Sequence, residues 1–330
     1  MQNTQIILAQ RPSGMVMPQH FNLQTADVPQ LNENEFIVQV QYISLDPAMR
    51  GWMNEGTTYI KGVAIGEVMR AFAAGVVLQS THAGFAVGSL VQGMFGVQTY
   101  TISNGTGVTL IPPSSIPLSW YLGILGMPGL TAYYGLLAKG MPVAGNVVLV
   151  SGAAGMVGSL VGQIAMLHGC TVIGIAGSNA KCDYLKQELH FSEVINYKTD
   201  DVNAAIKKYA PNGVNIYFDN VGGAILDAAL LNLAYGARVV ICGAIAQYND
   251  VHFNGLKNYM KIVSARASLC GIIVLDYFDR ADEAITQLTH WLQVGKIKYQ
   301  EHRVTGIDNF ATTLQMLFTG ENNGKLILEI

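Results

Sequence analysis

The sequence predicts an α/β protein: a doubly wound parallel sheet accompanied by a second, β-rich domain. Three observations carry that prediction. From about Val147 onward, six apolar runs of β character alternate with helical segments. Ahead of them, the first third holds short β-branched runs separated by turns. Between the first of the six runs and the helix after it lies a turn built of glycine and alanine. A length of 330 residues suits about two domains of ~150 residues, each with a sizeable core.

Composition removes several classes. The chain is 50% hydrophobic and 12% charged, with 36 glycines and a formal net charge of −3; an average soluble domain is about 25% charged. A near-neutral, slightly acidic chain lacks the clustered Lys and Arg with which proteins neutralise nucleic-acid phosphates. High apolar content without repeats or low-complexity blocks excludes disorder.

In chain order, residues 36–43 form a partly alternating strand, and residues 75–78 and 90–95 follow as further short strands of a small irregular barrel or sandwich. The proline-rich stretch 111–117 reads as the exit from it. The doubly wound sheet then takes its six strands from Val147–Val150 and from residues 171–175, 194–195, 215–218, 238–242 and 269–274. The apolar run 325–328 is placed to return to the first domain as a strand.

Two long uncharged stretches, 71–138 and 140–180, raise the question of a membrane span, and Gly158 and Gly162 have small-xxx-small spacing. Turn residues break the first stretch every few positions, and glycines interrupt a strand-turn-helix pattern in the second. Strands and helices buried on both faces are the expectation. The N-terminal residues show no basic region followed by an apolar run, and four cysteines (Cys170, Cys182, Cys242, Cys270) are too few and scattered for a disulfide framework. The expected location is cytoplasmic.

The strongest local signal is Val147-Val148-Leu149-Val150-Ser151-Gly152-Ala153-Ala154-Gly155-Met156-Val157-Gly158. A buried strand enters a Gly/Ala turn and a helix opens at once, so backbone amides and the helix N-terminus can meet a pyrophosphate. A tight strand–helix turn without a ligand is the plainer alternative. The second strand discriminates between cofactors. Where unphosphorylated NAD calls for an acid on the ribose, this strand ends Ile175-Ala176-Gly177-Ser178-Asn179-Ala180-Lys181. A cation and a hydroxyl suit a 2′-phosphate, so NADP(H) is favoured. A solvated lysine competes with that reading, although a cation in a first helical turn is dipole-unfavourable.

Other chemistries find no support. The seven histidines (His20, His82, His168, His190, His252, His290, His302) are dispersed and no Cys-x-x-Cys pair exists, so neither a structural nor a catalytic zinc site is expected. No Gly-x-Ser-x-Gly nucleophile elbow occurs either.

Seven segments then stand out together: Leu45-Asp46-Pro47-Ala48-Met49-Arg50-Gly51, Gly126-Met127-Pro128-Gly129-Leu130-Thr131-Ala132-Tyr133, Ala153-Ala154-Gly155-Met156-Val157-Gly158, Asn196-Tyr197-Lys198, Phe218-Asp219-Asn220-Val221-Gly222-Gly223, Cys242-Gly243-Ala244-Ile245 and Asn322-Asn323-Gly324-Lys325. In content and order they resemble the zinc-independent medium-chain dehydrogenase/reductases, in the prostaglandin reductase, leukotriene hydroxydehydrogenase and curcumin reductase group. The resemblance runs from about Asp46 to the C-terminus. It implies a GroES-like catalytic domain (residues 1–125, completed by 300–330), an NADP(H)-binding Rossmann domain (126–299) and a homodimer.

The same resemblance implies reduction of the C=C bond of α,β-unsaturated ketones and aldehydes. Hydride goes to the β-carbon, and the enolate is stabilised and then protonated. Carried over by position, Gly155, Met156, Val157 and Gly158 meet the pyrophosphate; Ser178 and Lys181 hold the 2′-phosphate, with Tyr197 beside them. Asn220, Cys242, Gly243, Ala244, Ile245, Tyr248, Ile272, Ile273, Val274 and Asn322 line the ribose and nicotinamide, and Met127 packs nearby. Tyr248 matches a tyrosine that binds the oxyanion or assists proton transfer, and Tyr59 one on a mobile substrate loop. An unperturbed phenol, pKa about 10, is a donor rather than a base at neutral pH. Partly buried aromatics with no catalytic part are the bland alternative for both. The surroundings of Tyr59 depart from the group, and Leu275-Asp276-Tyr277 looks like its bacterial curcumin-reductase branch, so the substrate stays open. A quinone oxidoreductase and a non-catalytic NADPH-binding sensor are the competing functions.

Overall fold

The structure is a computed structural model that describes residues 1–251 and 254–330; His252, one of the dispersed histidines, lies outside the described residues. In chain order, β1 (Gln2–Leu8), β2 (Phe21–Asp27) and β3 (Phe36–Ser44) precede a short helix α1 (Ala48–Trp52). Strands β4 (Ala73–Ser80), β5 (Leu90–Gly93), β6 (Tyr100–Ser103) and β7 (Thr109–Ile111) follow. Helix α2 (Met127–Tyr134) opens the middle of the chain. Through it alternate β8 (Val147–Val150), α3 (Met156–Leu167), β9 (Thr171–Ala176), α4 (Asn179–Asp183), β10 (Glu193–Asn196), α5 (Val202–Tyr209), β11 (Val214–Asp219), α6 (Gly223–Leu230) and β12 (Leu233–Ile241). Then come α7 (Met260–Ala265), β13 (Ser268–Gly271) and α8 (Ala281–Gln293), and the tail adds β14 (Glu301–Thr305), α9 (Phe310–Thr319) and β15 (Lys325–Glu329). Two compact units result: Met1–Gly123 with Glu301–Ile330, and Ile124–Gln300.

The first unit is organised around β3. Its sheet runs β14-β15-β3-β4-β5-β7, with β6 also on β3, and β1 and β2 form a separate antiparallel pair. Strand β3 meets β4 along one edge; on the other, residues 36–39 face β6 and residues 42–44 face β15. Two register shifts against β4 accompany this change of partner, as bulges do where a sheet bends. The terminal run does return as a strand, antiparallel to β3. It is fastened by Lys325, 2% exposed, whose Nζ donates to the Leu45 carbonyl at 2.8 Å and to Asp46 Oδ1 at 2.9 Å. Phe36, Val38, Met49, Trp52, Phe95, Phe310 and Leu326 share the core beneath. The β1–β2 pair went unforeseen because most of β2 is exposed and polar and carries no apolar alternation.

The second unit holds a six-stranded, wholly parallel sheet in the order β10-β9-β8-β11-β12-β13. Val148, Leu149, Val150, Val172, Ile173 and Ile175 are fully buried, as strands covered on both faces must be. That accounts for the second uncharged stretch, 140–180. No helix among the described residues is long and apolar enough to cross a membrane. The small-residue spacing serves close packing of α3 on its neighbours: a Cβ at Gly158 would fall 2.4 Å from the Gly152 carbonyl oxygen in the preceding turn, and one at Gly162 would fall 2.0 Å from the Phe191 ring. Strand β13 stops at Gly271, short of the run expected to reach 274. Its neighbour β12 ends at Ile241, whose carbonyl takes the Ile272 amide, and beyond that no ladder partner remains.

Candidate functional site

In the parallel sheet, β8 has β9 on one side and β11 on the other, so the chain winds outward in both directions from β8. The carboxyl ends of β8 and β11 therefore flank a topological switch point, where open α/β sheets bind ligands. The turn after β8 is tight. Gly152 has φ +59°, the Gly155 amide donates to the Gly152 carbonyl at 3.0 Å, and Gly155 enters α3 extended. No side chain caps α3. The first-turn amides of Met156, Val157 and Gly158 have no intrahelical acceptor and carry the positive end of a twelve-residue helix. This arrangement fits a pyrophosphate.

The ends of β9 and β10 make the second part of the crevice. Ser178 caps α4, its hydroxyl accepting the Lys181 amide at 3.3 Å. The Tyr197 amide donates to the Ala176 carbonyl, and Asn196 Nδ2 donates to Asn179 Oδ1 at 2.8 Å, so the turn after β10 is tied to the start of α4. A Cβ at Gly177 would lie 2.8 Å from the Tyr197 ring; glycine there gives the ring its place. Lys181 is half-buried and its pKa is held below the ordinary lysine value, first by burial and then by the like charge of Lys198. No carboxylate stands between Gly177 and Lys181. Ser178, Lys181 and Tyr197 thus share one corner, joined by a second lysine to which the sequence reading gave no role. Its position in Asn196-Tyr197-Lys198, one residue past the expected tyrosine, was the available signal. A hydroxyl and two lysines give the corner the chemistry that a 2′-phosphate would need.

At the ends of β11 and β12 the organising group is Asp219, fully buried. Its Oδ1 accepts from the Ser151 hydroxyl (2.8 Å), the Tyr217 hydroxyl (2.6 Å) and the amides of Val221 and Gly222 (3.0 Å each). Ser151 Oγ accepts the Asn220 amide, and Asn220 Nδ2 donates to the Ser151 carbonyl at 2.7 Å. This network locks β8 to β11 and sets Asn220 at the switch point. The sequence reading missed Ser151 and Asp219 as positioning groups; an acid closing the apolar run Tyr217-Phe218 was the sign of them. Burial, then Asp219, pushes the Tyr217 hydroxyl well up and the Cys242 thiol up to about 12. Cys242 is therefore a neutral thiol at physiological pH, not a nucleophile. The amides of Cys242 and Gly243 donate to the Asp219 carbonyl, and that of Ile245 donates to the Asn220 carbonyl. A Cβ at Gly243 would lie 2.9 Å from the Tyr248 hydroxyl and 3.5 Å from the Asn220 carbonyl oxygen, so Tyr248 is seated over Gly243 beside Asn220. Ala244 precedes the short turn bearing Ile245. Ile272 and Val274 are buried just past the end of β13, with Ile273 between them. Met127 opens α2, which packs against α3.

Two expected residues belong to the other unit. Asn322 is buried in the turn before β15, its Nδ2 donating to the Gly324 carbonyl at 3.0 Å. Tyr59 sits on the loop after α1, its ring 51% exposed. Among the described residues no group of three or more His, Cys, Asp or Glu side chains could hold a metal ion.

A glycine-lined crevice at the switch point of a parallel sheet, joined in one chain to a β-rich unit, defines a dinucleotide-dependent dehydrogenase or reductase. Residues 4–111 match the family model for the N-terminal domain of oxidoreductases, and residues 156–291 the one for zinc-binding dehydrogenases. The chain is 43% identical to YfmJ of Bacillus subtilis, covering 99% of this chain and 97% of that protein. It is 40% identical to the NADP-dependent 2-alkenal reductase of tobacco, covering 90% and 88%. The crystal structure of CurA from Vibrio vulnificus in complex with NADPH superposes with a TM-score of 0.94 at 39% identity, over 99% of this chain and 98% of that one. The chain belongs to the zinc-independent medium-chain dehydrogenase/reductases, in the group of NADP-dependent alkenal, curcumin and prostaglandin reductases.

Proposed function

We propose that this chain is an NADPH-dependent enone and 2-alkenal reductase, saturating the C=C bond of α,β-unsaturated ketones and aldehydes. The observation that carries the reading is the lysine pair beyond the ends of β9 and β10, in a chain 40% identical to a tobacco 2-alkenal reductase. When bound, NADPH supplies the hydride for the β-carbon. The chain's own part is to fix the cofactor and to meet the charge that grows on the substrate carbonyl oxygen. Gly155, Met156, Val157 and Gly158 offer backbone amides to the pyrophosphate. Ser178, Lys181 and Tyr197, with Lys198, select the 2′-phosphate. Asn220, the segment from Cys242 to Ile245, Ile272, Ile273, Val274 and Met127 would form the nicotinamide end. Tyr248 and Tyr59 are the candidate hydroxyl donors, and preorganised donors of this kind carry much of the stabilisation of a developing oxyanion.

The reading includes a homodimer in the cytoplasm. In support, β13 is an edge strand with Leu269 exposed, and Tyr235 and Val263 are 77% and 66% exposed in the same unit. The four cysteines are free, as in a reducing compartment. Light scattering and cell fractionation test these two points. The function is tested by following NADPH absorbance with 2-alkenals, long-chain enones, curcumin and a quinone, with NADH alongside. Turnover of enals and enones with NADPH is expected. Turnover of the quinone alone would replace this reading with a quinone oxidoreductase, and tight NADPH binding with no turnover would make the protein a sensor.

A further inference from the structure

The loop after α1 is built from a rigid base and a tethered tip. At the base, the Val63 amide donates to the Trp52 carbonyl at 2.8 Å, and Arg11 Nη1 donates to the carbonyls of both Met53 (2.6 Å) and Val63 (3.2 Å). One step further out, the Gly62 amide donates to the Gly56 carbonyl at 3.0 Å, and a Cβ at Gly62 would strike the Asn54 carbonyl oxygen at 2.3 Å. Beyond this neck Thr57, Thr58 and Tyr59 are exposed. Yet the tip is held from below: Trp52, 5% exposed, donates its Nε1–H to the Tyr59 hydroxyl oxygen at 3.2 Å. Arg70 completes the support, its guanidinium 5.9 Å from the centre of the Trp52 ring and its Nη1 donating to the Lys61 carbonyl at 2.7 Å.

We propose that Trp52 is a positioning residue for Tyr59: its indole fills an acceptor site on the phenolic oxygen, so that the phenolic proton is what the loop presents to a substrate carbonyl. An indole N–H can only donate, so Tyr59 must accept here and its own O–H must point elsewhere. A hydroxyl that already accepts is also the stronger donor, because hydrogen bonds in a chain polarise one another. The buried indole gains a partner it otherwise lacks. One interaction thus sets both the place of the Tyr59 hydroxyl and its polarity. The inference rests on the enone-reductase reading, which supplies the carbonyl oxygen for the proton to meet.

Trp52→Phe keeps a ring under Arg70 and removes only the N–H. With a 2-alkenal it is expected to lower kcat/KM about 3- to 10-fold, the worth of one hydrogen bond, while the Kd for NADPH stays at the wild-type value. Tyr59→Phe should cost at least as much, and the double variant no more than Tyr59→Phe alone. Multiplying losses in the double variant, or wild-type rates in either single one, would overturn the proposal. Wild-type protein that reduces no enal or enone would sink the functional reading instead. A measurement independent of turnover separates the two and also serves if Trp52→Phe does not fold. Proton–nitrogen spectra of the wild type report its three tryptophan indoles, and Tyr59→Phe should shift one signal and speed its hydrogen exchange. Three unmoved signals would show that the tether does not exist in solution.

Discussion

Two lysines, one in each unit, stand in contrasting electrostatic surroundings. Lys325 is sunk in the first unit against a carboxylate and a carbonyl, the Asp46 side chain and the Leu45 backbone. Its charge is answered inside the chain. Lys181 is half-buried in the second unit, where the like charge of Lys198 adds to the effect of burial. Burial and repulsion both disfavour its protonated form, and an anion would relieve both. A buried cation matched by a carboxylate closes a fold; a half-buried one with a second cation nearby is, on the function proposed above, placed to receive an anion. The distinction lies in the neighbours, and residue type alone does not reveal it.

The largest expected effect breaks the architectural half. Lys325→Met preserves the stem and deletes the ammonium, leaving Asp46 with the Ser44 hydroxyl but no counter-charge. Urea denaturation should show a loss of about 3 kcal/mol, the lower end for a broken buried pair because Asp46 keeps some contact with water. NADPH affinity of the folded fraction should change little. A stability loss below about 1 kcal/mol would place the pair with ordinary surface bridges. Replacing Asp46 by Leu in the same chain should recover part of the loss, since two apolar groups leave no orphaned charge.

Next in size is the ligand half. Lys181→Ala should weaken NADPH about 10- to 100-fold, the range for a hydrogen bond to a charged group, and leave NADH nearly unchanged. Calorimetric titration with the two nucleotides reads the difference directly. Equal losses would move Lys181 from the 2′-phosphate to the shared part of the dinucleotide, and the contrast with Lys325 would lose its meaning. Unfolding by urea should hardly register the substitution.

How much of this could be read from the chain differs between the units for a physical reason. The parallel sheet announces itself because strands buried on both faces must be apolar runs, and Val147–Val150 and the Gly152-to-Gly158 turn are local in sequence. The positions of Gly155, Gly158, Ser178 and Lys181 follow from two successive strand-turn-helix units, β8–α3 and β9–α4. What the chain hides is pairing across distance. Nothing in Lys325 or Asp46 alone says that they meet 279 residues apart. Asp219 looks like an ordinary loop acid until four donors converge on its Oδ1. The Trp52–Tyr59 bond spans only seven residues, yet it depends on a loop neck with no periodicity to betray it.

The smallest predicted effect sharpens the comparison most, because it ties the strain on Lys181 to its purpose. The folded-state pKa of Lys181 is lowered from 10.5, so between that lowered value and 10.5 the unfolded chain holds more protons than the native one. Stability of the ligand-free protein therefore gains a small contribution from this group as pH rises through that window; the contribution is absent below it, where both states are protonated, and complete above it. NADPH binding runs the other way. A phosphate carrying its full negative charge favours the ammonium, so affinity falls as pH climbs through the same window, while NADH, lacking that phosphate, does not sense it. The ratio of the NADH to the NADPH dissociation constant should thus decline with rising pH, beginning below the ordinary lysine range. Lys198→Ala removes the like charge and should move the onset of that decline upward. An unmoved onset would mean that burial alone perturbs Lys181 and that Lys198 is a bystander.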